Sequence, residues 1–93
     1  MKTKSFTVDA VGNPEPITVV TTCQQVEIYE DAQAGTTDYK VRAPSLSDVD
    51  VQRPAGAKTL LRPSHGGRFF FAGETIGYVS TVAGVVTFAQ EEN

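Results

Sequence analysis

The sequence predicts an all-β chain, folded as an antiparallel β-sandwich or jelly-roll-like domain of about eight short strands. β-Branched residues occur from end to end, and Gly and Pro residues interrupt them at the spacing typical of sandwiches and barrels. No stretch shows the i, i+3, i+4 apolar spacing of an amphipathic helix. A chain of 93 residues has room for one core, so residues 1–93 are predicted to form a single domain.

The first half of the chain predicts five strands from its alternation of apolar and polar residues. They cover residues 4–11, 17–22, 26–30, 38–43 and 46–53. Pro44 stops the fourth strand because proline has no amide hydrogen to donate to a ladder. In the fifth strand, Val49 and Val51 are expected to point away from a wet face that carries Asp48 and Asp50. Residues 1–5 are a candidate flexible arm.

The second half predicts four shorter strands separated by glycine-containing turns. These strands cover residues 57–62, 68–71, 75–81 and 85–90, and residues 91–93 are expected to form a frayed acidic tail. Two loops are candidates for contacts with another molecule. They are residues 31–37, which include Gly35, and residues 63–67, which include His65.

Three consecutive phenylalanines, Phe69, Phe70 and Phe71, are the most distinctive local feature. Successive side chains of a strand alternate between its faces, so all three cannot enter one core. If Phe69 and Phe71 are core residues, Phe70 is the one that points outward. Either a neighbouring sheet of the same domain or a partner must cover the outward side. The predicted protein interface comprises Arg68, the three phenylalanines and the loop residues His65 and Gly35.

The residue types present do not assemble into a recognisable catalytic, cofactor or metal site. His65 is the single histidine and has no flanking nucleophile or acid that would activate it, and Cys23 is the single cysteine. Asp48 and Asp50 lack the spacing of a dedicated calcium loop, and neither GxGxxG nor GK[ST] occurs. We therefore expect no enzymatic activity, no cofactor and no bound metal.

Charge and hydropathy limit the classes of partner. With 8 basic and 11 acidic side chains, the net charge of −3 offers no footprint for a nucleic-acid backbone. No apolar stretch is long enough for a signal peptide core or a membrane span. We therefore expect neither nucleic acid nor membrane as a partner, and a protein kept in the cytoplasm or in a particle assembled there.

Residues 17–92 resemble small bacteriophage virion proteins. The resemblance lies in TVVTTCQQVEIYED, then TTDYKVRAPS, then PAGAKTLLRPSHGGRFFFAGETIGYVSTVAGVVTFAQEE. Among such proteins, the chain is most similar to capsid decoration, or cement, proteins. The resemblance implies a structural protein of the virion surface, assembled in the host cytoplasm, that binds the major capsid protein, often as a homotrimer, and bridges capsomers. The long extended arm of some cement proteins is missing, unless residues 1–5 serve as one.

A receptor-binding or carbohydrate-binding module, such as a tail or fibre domain, is the alternative. Its binding surface would use exposed Tyr29, Tyr39 or Tyr78 as platforms on which sugars stack. The three tyrosines also fit strand patterns as ordinary core or sheet-face residues, and the chain has no tryptophan.

Overall fold

A computed structural model describes residues 2–31, 36–64 and 68–93 and confirms the predicted β-sandwich. Its two four-stranded antiparallel sheets contain eight strands, β1 Lys2–Val8, β2 Glu15–Thr18, β3 Val26–Glu30, β4 Tyr39–Arg42, β5 Val51–Arg53, β6 Thr59–Leu61, β7 Thr75–Thr81 and β8 Val86–Glu92. A 3₁₀ helix, Pro44–Leu46, lies between β4 and β5. In the described ranges no helix is long and apolar enough to span a membrane.

The strand order is that of a jelly roll. Sheet A has the order β1-β8-β3-β6, and sheet B has the order β2-β7-β4-β5. The first strand therefore pairs with the last, the second with the seventh, the third with the sixth and the fourth with the fifth. This nested pairing is what results when one long antiparallel ribbon is rolled into two packed sheets.

The core lies between the two sheets and is filled by the alternate residues of each strand. In β3, Val26 and Ile28 are buried, as the alternation predicts. Phe88 of β8 packs edge-on against Tyr39 of β4, with ring centroids 5.2 Å apart. The Tyr39 hydroxyl donates to the Ala57 carbonyl oxygen at 2.6 Å, which satisfies its polar end in the buried site.

Three predicted strands differ clearly from the structure, and the first of them, residues 17–22, is a strand only as far as Thr18 of β2. Residues 46–53 do not form one strand, because Pro44–Leu46 is helical and Ser47 and Asp48 have φ of 63° and 55°. Those left-handed angles turn the chain, so pairing begins only at β5 and Val49 is exposed. Residues 68–71 also form no strand, and their only ladder contact among the described residues is a bridge between Cys23 and Phe70.

Both predicted loose ends are also wrong. β1 begins at Lys2, which pairs with Glu92, and it stays in register with β8 over all seven of its residues. β8 is an interior strand of sheet A, and Glu92 is only 3% exposed. The Asn93 carbonyl oxygen accepts the N–H groups of Gln24 and Gln25 at 3.0 and 3.1 Å. Neither a flexible arm at residues 2–5 nor a frayed tail is therefore present.

The connections gather at the two ends of the sandwich. Backbone hydrogen bonds join the β2–β3 connection to the β6–β7 connection at one end, for example from Gly73 to Val19 at 2.7 Å. At the other end, the β1–β2 connection meets the start of the β7–β8 turn, where Gly12 donates to Thr81 at 3.2 Å. The predicted phenylalanine interface therefore belongs to the first of these ends.

Candidate functional site

Phe70 is the anchor of the phenylalanine segment and is a core residue, only 3% exposed. Its N–H donates to the Cys23 carbonyl oxygen at 2.9 Å, and its carbonyl oxygen accepts the Cys23 N–H at 3.0 Å. These two reciprocal hydrogen bonds fix which side of residues 69–71 faces the core. The expectation that Phe70 points outward is therefore wrong.

Phe69 and Phe71 point away from the core instead, with 46% and 59% of their surface exposed. Alternation along an extended segment explains both positions once Phe70 is buried, because its two neighbours must then face the opposite way. The prediction that the three phenylalanines cannot all enter one core is therefore correct. The buried and exposed positions are the reverse of those expected, since Phe70 is buried and its two neighbours are exposed.

A well-bonded turn supports these two rings. The Glu74 N–H donates to the Phe71 carbonyl oxygen at 3.0 Å, and Gly73 takes a φ of 88° at the third position, as a type II turn requires. A Glu74 carboxylate oxygen accepts the Phe71 N–H at 2.9 Å, and the Thr22 hydroxyl accepts the Ala72 N–H at 3.3 Å. The exposed rings are therefore carried by backbone that is held at several points.

A shallow cleft of about 240 Å³ adjoins the rings. Two prolines from different connections contribute to its walls, Pro44 before β5 and Pro63 after β6. We call the combined area the phenylalanine surface and define it by Pro44, Pro63, Arg68, Phe69 and Phe71. Arg68, the rings and the loop that begins at Pro63 were predicted from the sequence, whereas Pro44 was interpreted only as the residue that stops a strand.

Two charged side chains, Arg68 and Glu74, line the cleft beside the rings. Arg62 and Arg68 are exposed on either side of residues 63–67, and neither forms an ion pair with a described residue. The nearby carboxylate of Glu74 is engaged in the turn. Arg68 therefore offers a cationic side chain beside the apolar rings, next to a carboxylate that the turn already uses.

A second cleft, of about 140 Å³, lies on the outer side of sheet B beside Tyr78. Tyr78 is 43% exposed and pairs across the strands with Arg42, while Asp48 also lines the cleft. The Arg42 guanidinium donates to both Asp50 carboxylate oxygens, from Nε at 2.9 Å and from Nη2 at 3.1 Å. These hydrogen bonds lower the pKa of the Asp50 carboxyl and raise that of Arg42.

Exposed valines form a third feature at the opposite end of the sandwich. Val11 bridges to Thr81, next to Val82, and the Thr81 hydroxyl donates to the Gly84 carbonyl oxygen at 2.9 Å in the turn that leads to Val85. Val11, Val82 and Val85 are all exposed, and we call them the valine surface. This set was not predicted from the sequence, because its members belong to two connections that only the fold brings together.

The other predicted site residues have mixed outcomes. Gly35 and His65 lie outside the described residues. Tyr39 is fully buried, so it cannot be a stacking platform. Tyr29 is half-buried, its hydroxyl donates to Glu91 at 3.1 Å, and the Lys58 ammonium lies 5.0 Å from its ring centre. Of the three tyrosines, Tyr78 alone retains an exposed ring beside a cleft.

Groups suited to metal or nucleophilic chemistry are not gathered in one place. Within residues 2–31, 36–64 and 68–93, no three His, Cys, Asp or Glu side chains are arranged to hold a metal ion. Cys23 is buried, and burial, together with the nearby Glu92 charge, raises the pKa of its thiol above the ordinary 9.0.

Comparisons with protein families, with curated proteins and with solved structures found no match for this chain.

Proposed function

We propose that this protein is a structural protein of a bacteriophage virion, which binds the outside of the capsid through the phenylalanine surface and bridges neighbouring capsomers. The observation that carries the proposal is the exposure of Phe69 and Phe71 on a backbone segment anchored by the buried Phe70. The resemblance of residues 17–92 to decoration proteins supplies the class of partner.

The energetics favour docking on a protein surface. Burying a phenylalanine side chain fully contributes about 1.5–3 kcal/mol, and the two rings are only about half-covered in the isolated chain. The turn of residues 71–74 already holds the backbone that carries them. Binding therefore orders little additional chain, which preserves more of that gain as affinity.

The flanking charges indicate the chemistry of the partner. Arg68 would face an acidic side chain at the edge of an apolar depression that receives Phe69 and Phe71. A second copy of the chain is a poorer partner for this surface, because two copies that met face to face would bring Arg68 close to its own counterpart. The occupant proposed here is the major capsid protein.

Bridging also requires a second contact, and we assign it to the valine surface. Residues 9–14 and 82–85 contain one charged side chain, Asp9, so two copies could meet there with little like-charge repulsion. The occupant proposed for the valine surface is another copy of this chain. Self-association at one end and capsid binding at the other would link several capsomers, and each contact would disfavour their separation.

Co-sedimentation with capsids tests the proposal. Shells that lack the protein, purified from the phage that carries its gene, should bind the wild type at a fixed stoichiometry. Phe69→Ser and Phe71→Ser should each weaken binding about tenfold or more, since 1.4 kcal/mol corresponds to a factor of ten. Leu60→Ser, which alters an exposed apolar residue of β6 on sheet A, is the matched control and should bind normally. Failure of the wild type to bind would overturn the proposal.

A further inference from the structure

We propose that the cleft beside Tyr78 is a binding site for a neutral saccharide. The cleft lies on the outer face of sheet B and uses none of the exposed phenylalanine rings, although Pro44 lines both clefts. The inference does not depend on capsid binding, because it is tested on the isolated chain. Its elements are an exposed aromatic ring, a fixed guanidinium and a carboxylate around one shallow depression.

The aromatic ring is presented on a regular part of the sheet. Tyr78 lies on β7 between Pro16 of β2 and Arg42 of β4, and all three are exposed on the same outer face. A ring held between two paired strands has little freedom to move away. It offers a flat apolar surface with a hydroxyl at its edge, which suits a ligand that has both apolar and polar faces.

One polar group beside the ring, the Arg42 guanidinium, is held by Asp50 before any ligand arrives. The bidentate contact with Asp50 fixes the guanidinium plane of Arg42 and leaves Nη1 and one Nη2 hydrogen outside that contact. Asp48 adds carboxylate acceptors on the other side of the cleft, and it has no hydrogen-bonding side-chain partner among the described residues. Donors and acceptors are thus both available to ligand hydroxyl groups.

Gly77 lines the cleft and marks a close approach of β7 to β4. Gly77 has no side chain, and a Cβ there would clash with the Arg42 carbonyl oxygen and lie 3.0 Å from the Ala43 Cβ. β7 therefore packs tightly against β4 below Tyr78. The cleft volume of about 140 Å³ is smaller than the roughly 300 Å³ at which sites for drug-sized ligands begin. A single sugar ring is a ligand element of suitable size.

The local charge selects a neutral ligand. A phosphate, sulfate or sialic acid would approach Asp48 and Asp50, and an ammonium ligand would approach Arg42. One aromatic ring also falls short of the several-sided cage that binds quaternary ammonium groups. A neutral sugar avoids both repulsions, stacks its apolar face on Tyr78 and exchanges hydrogen bonds with the charged groups.

An NMR titration tests this assignment on the isolated wild-type chain. Backbone amide shifts are followed while maltose, lactose, cellobiose or chitobiose is added. At least one disaccharide should cause saturable shifts at the amides of Arg42, Asp48, Gly77 and Tyr78. The absence of saturable shifts with all four sugars would overturn the proposal, as would shifts confined to another surface.

Variants of Tyr78 test whether the sugar stacks on the tyrosine ring or only lies near it. Tyr78→Ala should weaken binding at least tenfold, whereas Tyr78→Phe, which keeps the ring, should retain most of it. Phe71→Ala removes an exposed ring elsewhere and is the matched control. If Tyr78→Ala does not fold, Asp48→Asn and Arg42→Gln provide the test, and each should weaken binding severalfold. Unchanged sugar affinity in the folded variants would exclude the cleft as the binding site. A variant that lost capsid binding but kept sugar binding would bear only on the phenylalanine surface.

Discussion

The Glu92 carboxylate holds Thr21 by two hydrogen bonds, accepting both its backbone N–H and its side-chain hydroxyl at 2.8 Å. The neighbouring Val20 N–H donates to the other carboxylate oxygen at 2.7 Å. A strand that ends the chain therefore secures the β2–β3 connection. That connection in turn bonds to Phe70 and Gly73, so the support of the phenylalanine surface reaches back to the final residues.

Removing this carboxylate should destabilise the fold. Glu92→Ala leaves the N–H groups of Val20 and Thr21 without their acceptor in a partly buried setting, and each hydrogen bond to a charged group contributes about 1.5–3 kcal/mol. We expect the free energy of unfolding to fall by about 2–4 kcal/mol in urea titrations. Glu27→Ala, which alters a half-buried glutamate with no hydrogen-bonding side-chain partner among the described residues, should change it by less than ~0.5 kcal/mol.

The Glu92 carboxylate should make the stability of the fold depend on pH. Burial alone would raise the pKa of Glu92, but hydrogen bonds from Val20, Thr21 and Gln90 outweigh it and hold the pKa below its ordinary 4.5. Its contribution should be complete above pH ~4.5 and disappear as the pH falls through the lower folded-state pKa. Thermal melts of wild type and Glu92→Gln from pH 7 to pH 2 should therefore converge at the acidic end. A constant difference at every pH would contradict this assignment.

Replacing Phe70 should lower the free energy of unfolding much more than replacing either of its two neighbours. Phe70→Ser should cost about 3–5 kcal/mol or prevent folding, because it removes a buried ring. Phe69→Ser and Phe71→Ser should each cost less than ~1 kcal/mol, because their rings are largely exposed. Urea denaturation of the three single variants provides the comparison. Equal destabilisation by all three would show that the outer rings are covered within the domain.

Gly77 should tolerate no side chain. In Gly77→Ala, the new Cβ would press on the Arg42 carbonyl oxygen and on Ala43, so β4 and β7 must move apart. We expect a loss of about 1–3 kcal/mol in the free energy of unfolding, as for other overpacked sites. Ser80→Ala, on the outer face of the same strand, should stay within ~0.5 kcal/mol of wild type. A fully stable Gly77→Ala protein would contradict the close packing of the two strands.

Cys23 should report opening of the β2–β3 connection. Its thiol is buried and its pKa is raised, so at pH 8 it should react with DTNB much more slowly than a free cysteine. Urea should restore rapid reaction. Glu92→Ala should accelerate labelling under native conditions, since it releases the residues just before Cys23, whereas Leu60→Ser should not. Rapid labelling of the native wild type would show that this connection opens freely.

The sequence alone determined the fold class and much of the strand content. Alternation predicted Val26–Glu30 and Thr75–Thr81 with the bounds that the structure has, because a half-buried strand must repeat every two residues. The glycine and proline spacing likewise predicted about eight strands and the jelly-roll-like alternative that the strand order confirms, although one of the nine predicted segments, residues 68–71, forms no strand. The local sequence pattern was sufficient for these strands and turns, because each of them depends on residues that are neighbours in the chain.

The tertiary structure decided which side of each segment faces inward and which distant residues meet. In the sequence, either Phe70 or its two neighbours could face the core. The bridge to Cys23 is what buries Phe70 and leaves Phe69 and Phe71 exposed. The acidic chain end appears solvated in sequence, yet the interior position of β8 buries Glu92 against backbone donors that lie at the far end of β2. These outcomes depend on pairing between segments far apart in the chain, which no local period encodes.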